Sequence, residues 1–137
     1  MIVDSSALVA IVMAEPGGAE LFKTLARARV VGVGAPSLLE ACMVLDGRLA
    51  SVRHDSAASL VLLVARLEIE VLPFGSDHWP VAWAAFLRFG KGRHPAALNL
   101  GDCMTYAIAR LARRPLLCVG NDFRQTDLDL VPLPPSP

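Results

Sequence analysis

Four carboxylates in this chain stand where apolar strand-like runs give way to helices. Asp4 follows "MIV", Glu40 lies in "SLLEACMVL", Asp102 opens "GDCMTYAIARL" and Asp122 follows "LLCVGN". An unpaired carboxylate costs several kcal/mol to bury, and several held together resist joint ionisation unless a cation compensates. These acids offer oxygen ligands only, without His or Cys, which suits hard Mg²⁺, with Mn²⁺ as a substitute. Such ions keep several waters and take one or two carboxylates directly, leaving the other acids to orient those waters. The chemistry open to such a set is activation of a metal-bound water, which needs no protein nucleophile. No Ser-His-Asp or Cys-His arrangement competes with it.

Each acid also has a plainer reading. Asp4 could cap the first helix, Asp102 or Asn99 could cap its own, Asp122 could form an Asx-turn and Glu40 could pair with an arginine. Glu40 resists most, because Leu38, Leu39, Ala41 and Cys42 flank it. What favours joint work is topology.

"MIVD" reads as a buried strand, and Ser5 or Ser6 can cap a helix that stops at "PGG". "AELFKTLARAR" is a second helix, "VVGVGA" a second strand, and Ser37 can cap a helix through "LLEACMVLDGRLA". A helix over about 55–67, the strand "EIEVLPF" and a helix from Ser76 or Asp77 to Gly90 follow, with Pro80 tolerated in the first turn. Then come the loop "GKGRHPAALNL", the helix "GDCMTYAIARLAR", the strand "LLCV", the loop "GNDFRQTD" and a last strand in "LDLVPL". Strands alternating with helices imply a single α/β domain over 1–137, with a mainly parallel sheet covered on both faces. Right-handed crossovers put the strand-to-helix turns on one carboxyl edge, where ligands bind. Asp102 joins that edge if its helix runs antiparallel to the strand that follows it.

The 137 residues suffice for one core, and Lys plus Arg equals Asp plus Glu at 13 each, so no global field draws in polyanions or anionic membranes. A hydrophobic fraction of 54% and mean hydropathy of +0.49 leave apolar surface for a partner or a second copy. Three cysteines, Cys42, Cys103 and Cys118, without C-x-x-C spacing argue against disulfides and zinc, and fit reducing cytoplasm. "AASLVLLVA" is too short to span a bilayer, and the first residues carry no basic leader segment. The tail "PLPPSP" reads as an unstructured end. Asp127 follows the fourth acid closely enough to belong to an outer shell, whereas His54, His78 and His94 form no cluster.

The stretches "MIVDSSALVAI", "SLLEACMVL", "FGKGRHPAALNLGDCMTYAIARL" and "LLCVGNDFRQTDL" together resemble the VapC toxins, PIN-domain ribonucleases of bacterial type II toxin–antitoxin modules. The resemblance spans nearly the whole chain. It implies a three-layer α/β/α fold with a five-stranded sheet in the order 3-2-1-4-5 and Mg²⁺-dependent endonucleolytic cleavage of RNA that inhibits growth or translation. It further implies a homodimer, or a heterotetramer or larger complex with a VapB-type antitoxin. Asp4, Glu40, Asp102 and Asp122 match the family's metal site, Asp4 and Asp102 its usual direct ligands. Ser6 matches a Ser or Thr that supports the site through its hydroxyl. One metal ion or two stays open.

Arg88, Lys91, Arg93 and, beyond Asp122, Arg124 would flank the acids and neutralise RNA phosphates, with His94 as a lesser candidate. Trp79, Trp83 and Phe86 share a helical stripe that reads as packing or dimer surface. A phosphatase of the haloacid dehalogenase type would want an Asp at position 6, where Ser6 stands. A noncatalytic PIN-like module that binds a protein partner is the remaining alternative, and metal titration separates the two.

Overall fold

The computed structural model describes residues 1–49 and 57–133. The start of the helix expected from residue 55, His54, and residues 134–137 of the tail therefore lie outside the described residues. Among the described residues four short parallel strands form the sheet: β1 (Ile2–Val3), β2 (Gly32–Gly34), β3 (Glu70–Leu72) and β4 (Leu116–Leu117). Their order is β3-β2-β1-β4. Helices α1 (Ser5–Val12) and α2 (Gly18–Arg27) connect β1 to β2; α3 (Ala35–Leu49) and α4 (Ala58–Arg66) lead to β3; α5 (His78–Phe89) and α6 (Leu100–Ala112) lead to β4.

The pleat sends alternate side chains to opposite faces, and the two central strands show it. Val3 and Leu117 enter one core with Leu8, Leu25, Leu45 and Leu60. Ile2 and Leu116 enter the other with Phe89, Leu98, Tyr106 and Ile108. The sheet is thus sandwiched between α1–α4 and α5–α6, the expected three layers.

The fifth strand expected in "LDLVPL" is reduced to one parallel bridge between Leu116 and Leu130. Leu116 N donates to Asp129 O, and Val131 N to Leu116 O, both at 2.9 Å. Pro132 follows with no N–H to extend the ladder. The segment keeps its place beside β4 without becoming a strand.

At α1 the capping read for Asp4 holds, and α3 starts earlier than expected. Asp4 itself caps α1, because its backbone is still extended (ψ 158°) and its carboxylate accepts from Ser6 N. Helix α3 begins at Ala35, directly after β2, so Ser37 lies inside its first turn and is buried. Among the described residues no helix is long and apolar enough to cross a membrane.

Leu117 is fully buried in the first core. Leu117→Ala is expected to lower the unfolding free energy by about 2–5 kcal/mol in urea titrations; a loss under about 1 kcal/mol would mean that the central strand is not packed as described.

Candidate active site at the carboxyl edge of the sheet

The first residue past β1 is Asp4, whose N–H donates to Leu117 O of β4 at 2.9 Å, so it is held at the middle of the edge. Only 4% of its surface is exposed. Three donors satisfy it. Ser6 N and Ser6 Oγ reach Oδ2 at 3.0 and 2.6 Å, and Thr105 Oγ1 reaches Oδ1 at 3.0 Å. Ser6 in turn accepts from Val119 N at 3.0 Å, tying the residues after β4 to the start of α1. The Ser6 hydroxyl thus bridges the Asp4 carboxylate and the backbone after β4.

Glu40 is carried by the second turn of α3. Ser5 Oγ donates to Glu40 Oε2 at 3.1 Å, and among the described residues no arginine pairs with Glu40. Its carboxylate also lies against the first turn of α6. A Cβ built on Gly101 would meet Glu40 Oε2 at 2.9 Å and Oε1 at 3.1 Å, so the residue before Asp102 must be small for Glu40 to approach.

Asp102 completes a capping box with Asn99. Asn99 N donates to Asp102 Oδ2, and Asp102 N to Asn99 Oδ1, both at 2.9 Å. Capping and service at the edge are thus not alternatives for this residue. Its pKa is pushed up to about 6, first by burial and then by the charges of Asp4, Asp122 and Glu40, while the Asn99 N–H opposes the shift. Asp102 thus senses all three other acids. The Cys118 thiol, at the end of β4, reports the same field from the other side. Burial and then Asp4 raise its pKa to about 12, helped by Asp122 and Asp102 and opposed by Arg124. At neutral pH it stays a thiol, neither nucleophile nor thiolate ligand.

Asp122 is exposed at the start of a single 3-10 turn, Phe123–Gln125. It reaches the others through its charge. Among the described residues no group of three or more His, Cys, Asp or Glu side chains is gathered tightly enough to hold an ion unaided. The donor set nevertheless fits a hard cation in chemistry: every member is a carboxylate, and such ions fill most positions with water.

The basic candidates divide. Gln125 Nε2 donates to Pro95 O at 3.4 Å, joining the turn that carries Arg124 to the loop of Lys91 and Arg93. That loop is closed at its base by Leu98 N to Phe89 O at 2.9 Å. Arg93 lies over the Phe86 ring, 5.1 Å from its centroid. Arg88 instead donates to Asp127 at 3.1 Å and covers Phe89. Asp127 also accepts from the Tyr106 hydroxyl at 2.6 Å, so it belongs to this network and not to an outer shell of the acids. His94 Nδ1 accepts from Ala96 N, a role in the loop. Trp79 and Trp83 remain 60% and 52% exposed on α5, so the stripe is surface more than core.

Four residues that serve the site drew no functional reading from the sequence: Ser5, Ser37, Gly101 and Thr105. Only the placing of a hydroxyl one helical turn beyond Asp102 could have pointed to Thr105.

A family model for the PIN domain matches residues 1–128. Over 132 residues the chain is 47% identical to "VapC ribonuclease Mb2004c" of Mycobacterium bovis, covering 94% of this chain and 91% of that one. The chain belongs to the VapC ribonuclease family of PIN domains. "Ribonuclease VapC30" of Mycobacterium tuberculosis is 36% identical to this PIN domain over 135 residues, covering 98% of this chain and 100% of the relative. Among solved structures, Mycobacterium tuberculosis VapC20, described as a sarcin-ricin loop cleaving toxin, superposes with a TM-score of 0.76 at 17% identity, covering 95% and 97% of the two chains. VapBC2 of Rickettsia felis, bound to a promoter DNA fragment, matches the PIN domain with a TM-score of 0.70 at 15% identity over 97% and 98%. Both likenesses speak for the fold.

Asp102 yields a stability prediction. With a folded pKa of about 6 against 3.8, it holds its proton more tightly when folded. Its contribution is most favourable below pH 4 and is lost as pH rises through 6. Two units would be about 3 kcal/mol, which screening at this half-exposed group reduces to about 1 kcal/mol. Metal-free Asp102→Asn, which keeps an acceptor for Asn99 N, is expected to unfold later than wild type at pH 7.5, with the gap closing toward pH 4. Thermal melts at the two pH values check it; a pH-independent gap removes the charge explanation.

Proposed function

We propose that this PIN domain is a Mg²⁺-dependent endoribonuclease, the toxin of a type II toxin–antitoxin module, cleaving RNA to inhibit growth or translation. The observation that carries the reading is the placing of Asp4, 4% exposed, directly after the central strand β1, with Asp102 raised in pKa by burial and by the charges of Asp4, Asp122 and Glu40. Relatives named ribonucleases over nearly the full chain support it.

Asp4 and Asp102 would hold the ion, with Glu40 and Asp122 orienting water or completing a second site. When bound, Mg²⁺ or Mn²⁺ would lower the pKa of a water and offset charge developing on the phosphoryl oxygens. The chain's own part is placement. Ser6 and Thr105 fix the plane of the Asp4 carboxylate, the Asn99 box fixes that of Asp102, and Ser5 with Gly101 sets the approach of Glu40. Lys91, Arg93 and Arg124 are suited to neutralise phosphates away from the cut. Arg88, engaged by Asp127, is the weakest of the four basic candidates.

The apolar residues left exposed on α3, Leu39 at 62% and Met43 at 66%, fit a protein partner. A VapB-type antitoxin and a second copy of the chain, in a dimer, heterotetramer or larger complex, would cover such surface. A VapBC assembly is described for the Rickettsia protein. A bacterial cytoplasmic location completes the reading.

Cleavage of labelled RNA in Mg²⁺ is expected to stop on adding EDTA. Asp4→Asn and Asp102→Asn should each lose on the order of 10² to 10³ in rate, the scale of one electrostatic group in an active site. Cleavage at the wild-type rate, with circular dichroism showing intact folds, would remove the residue from the chemistry, and cleavage unchanged by EDTA would remove the metal.

Single-stranded RNA binding loses about 0.7 of log–log salt slope for each phosphate contact removed. The triple variant Lys91→Ala, Arg93→Ala, Arg124→Ala should therefore bind an uncleavable RNA more weakly, with a slope shallower by about 2. An unchanged slope places the RNA elsewhere.

A further inference from the structure

Asp4 has more polar contacts than a helix cap requires. A cap needs one acceptor for one backbone N–H, and Ser6 N supplies that donor. Two hydroxyls are added, Ser6 Oγ on Oδ2 and Thr105 Oγ1 on Oδ1. Behind Thr105 lies Ser37, with Oγ 2.8 Å from Thr105 Oγ1. Thr105 has a single hydroxyl proton, directed at Asp4, so Ser37 is the donor in that pair. Donation runs one way, from Ser37 to Thr105 to Asp4.

The first two members are 3% and 1% exposed. On such helix faces Ala or Val would pack without any polar atom to satisfy. Room has been left for the relay: a Cβ on Gly34 would meet Ile108 Cγ1 at 3.1 Å and Ser37 Oγ at 3.4 Å. Ser37 stands one turn before Glu40 on α3, and Thr105 one turn after Asp102 on α6. The relay thus links the two helices that bring those acids to the acid that follows β1.

Lone pairs show what it does. Each carboxylate oxygen offers two acceptor sites. Both Ser6 donors go to Oδ2, whereas among the described residues Oδ1 takes Thr105 alone, which leaves its second acceptor site unused. By this count of lone pairs, a cation taken by Asp4 would meet Oδ1, the oxygen gripped by Thr105. We propose that Thr105, aimed by Ser37, is a positioning residue that orients the ligating oxygen of Asp4 toward a divalent cation. This rests on the reading of Asp4 as a metal ligand. Groups that hold a ligand from behind typically set metal affinity by about 10–100-fold.

Titration of the full chain with Mn²⁺ alone, followed by calorimetry and by the electron paramagnetic resonance of free Mn²⁺, tests it without RNA. Thr105→Val keeps the shape and removes the donor, and should weaken Mn²⁺ binding about 10-fold or more. Thr105→Ser restores the hydroxyl and should restore most of the affinity. Ser37→Ala leaves the donor but not its aim, and should produce a smaller loss; it carries the test if Thr105→Val does not fold. Wild-type Mn²⁺ affinity in folded Thr105→Val, or in Ser37→Ala, overturns the inference and makes the hydroxyls packing elements only. Failure of the wild-type protein to bind Mn²⁺ is a separate outcome that removes the metal reading of Asp4 and this inference together.

Discussion

Mutual repulsion among carboxylates at one edge of a parallel sheet is the constraint around which this molecule is arranged. Asp4 is nearly sealed from water, and Asp102 feels the charge of all three other acids. Buried charge of one sign is unfavourable unless donors or cations answer it. The donors are supplied locally, three to Asp4, one from Ser5 to Glu40 and one from Asn99 to Asp102. They hold the acids in place without cancelling their negative field. A divalent cation is one species that such a residual field would attract.

Holding that arrangement needs little sheet. β1 and β4 are two residues long, yet β1 is central, paired with β2 on one side and β4 on the other. Ile2 and Val3 then anchor separate cores on the two faces. A residue immediately after so doubly packed a strand has almost no freedom, and that residue is Asp4. Asp102 is fixed differently. Its helix packs against α5, and its carboxylate is tied back to Asn99, so its position is set by helix geometry and its own capping box. Two independent devices thus fix two acids whose charges act on each other.

This explains which parts were legible in the sequence. β1, β2 and β3, the run of α5 to Gly90, and the Asn99 cap follow from apolar period, turn residues and capping chemistry, all of them local signals. The four acids drew attention in the sequence because each sits beside such a signal. Strand five was misjudged because "LDLV" has a strand's pattern, while Pro132 limits it to one bridge. Asp127 looked like a neighbour of the acids by sequence proximity, but Tyr106 and Arg88, 21 and 39 residues away, draw it elsewhere. Ser37 and Thr105 were hidden for the opposite reason. They lie 68 residues apart, and each alone is an ordinary helical residue. Pairings across the core leave no trace in local periodicity.

The acidic edge also bears on how a chain with equal numbers of acidic and basic residues can approach a polyanion. Unanswered carboxylates repel phosphates, so binding energy must come from positive charge set beside them at a distance the acids do not quench. Arg124 is a candidate for that charge, since it opposes the acids' effect on the Cys118 thiol and so stands beside the edge. The bond from Gln125 to Pro95 then draws the loop of Lys91 and Arg93 to the same side. Arg88 shows the contrary case, its charge answered by Asp127 and its face turned to Phe89. A local positive rim around a negative centre favours a ligand that presents one phosphate to the centre and its neighbours to the rim. That is the charge pattern of an extended nucleic acid strand, and it requires no net charge on the protein.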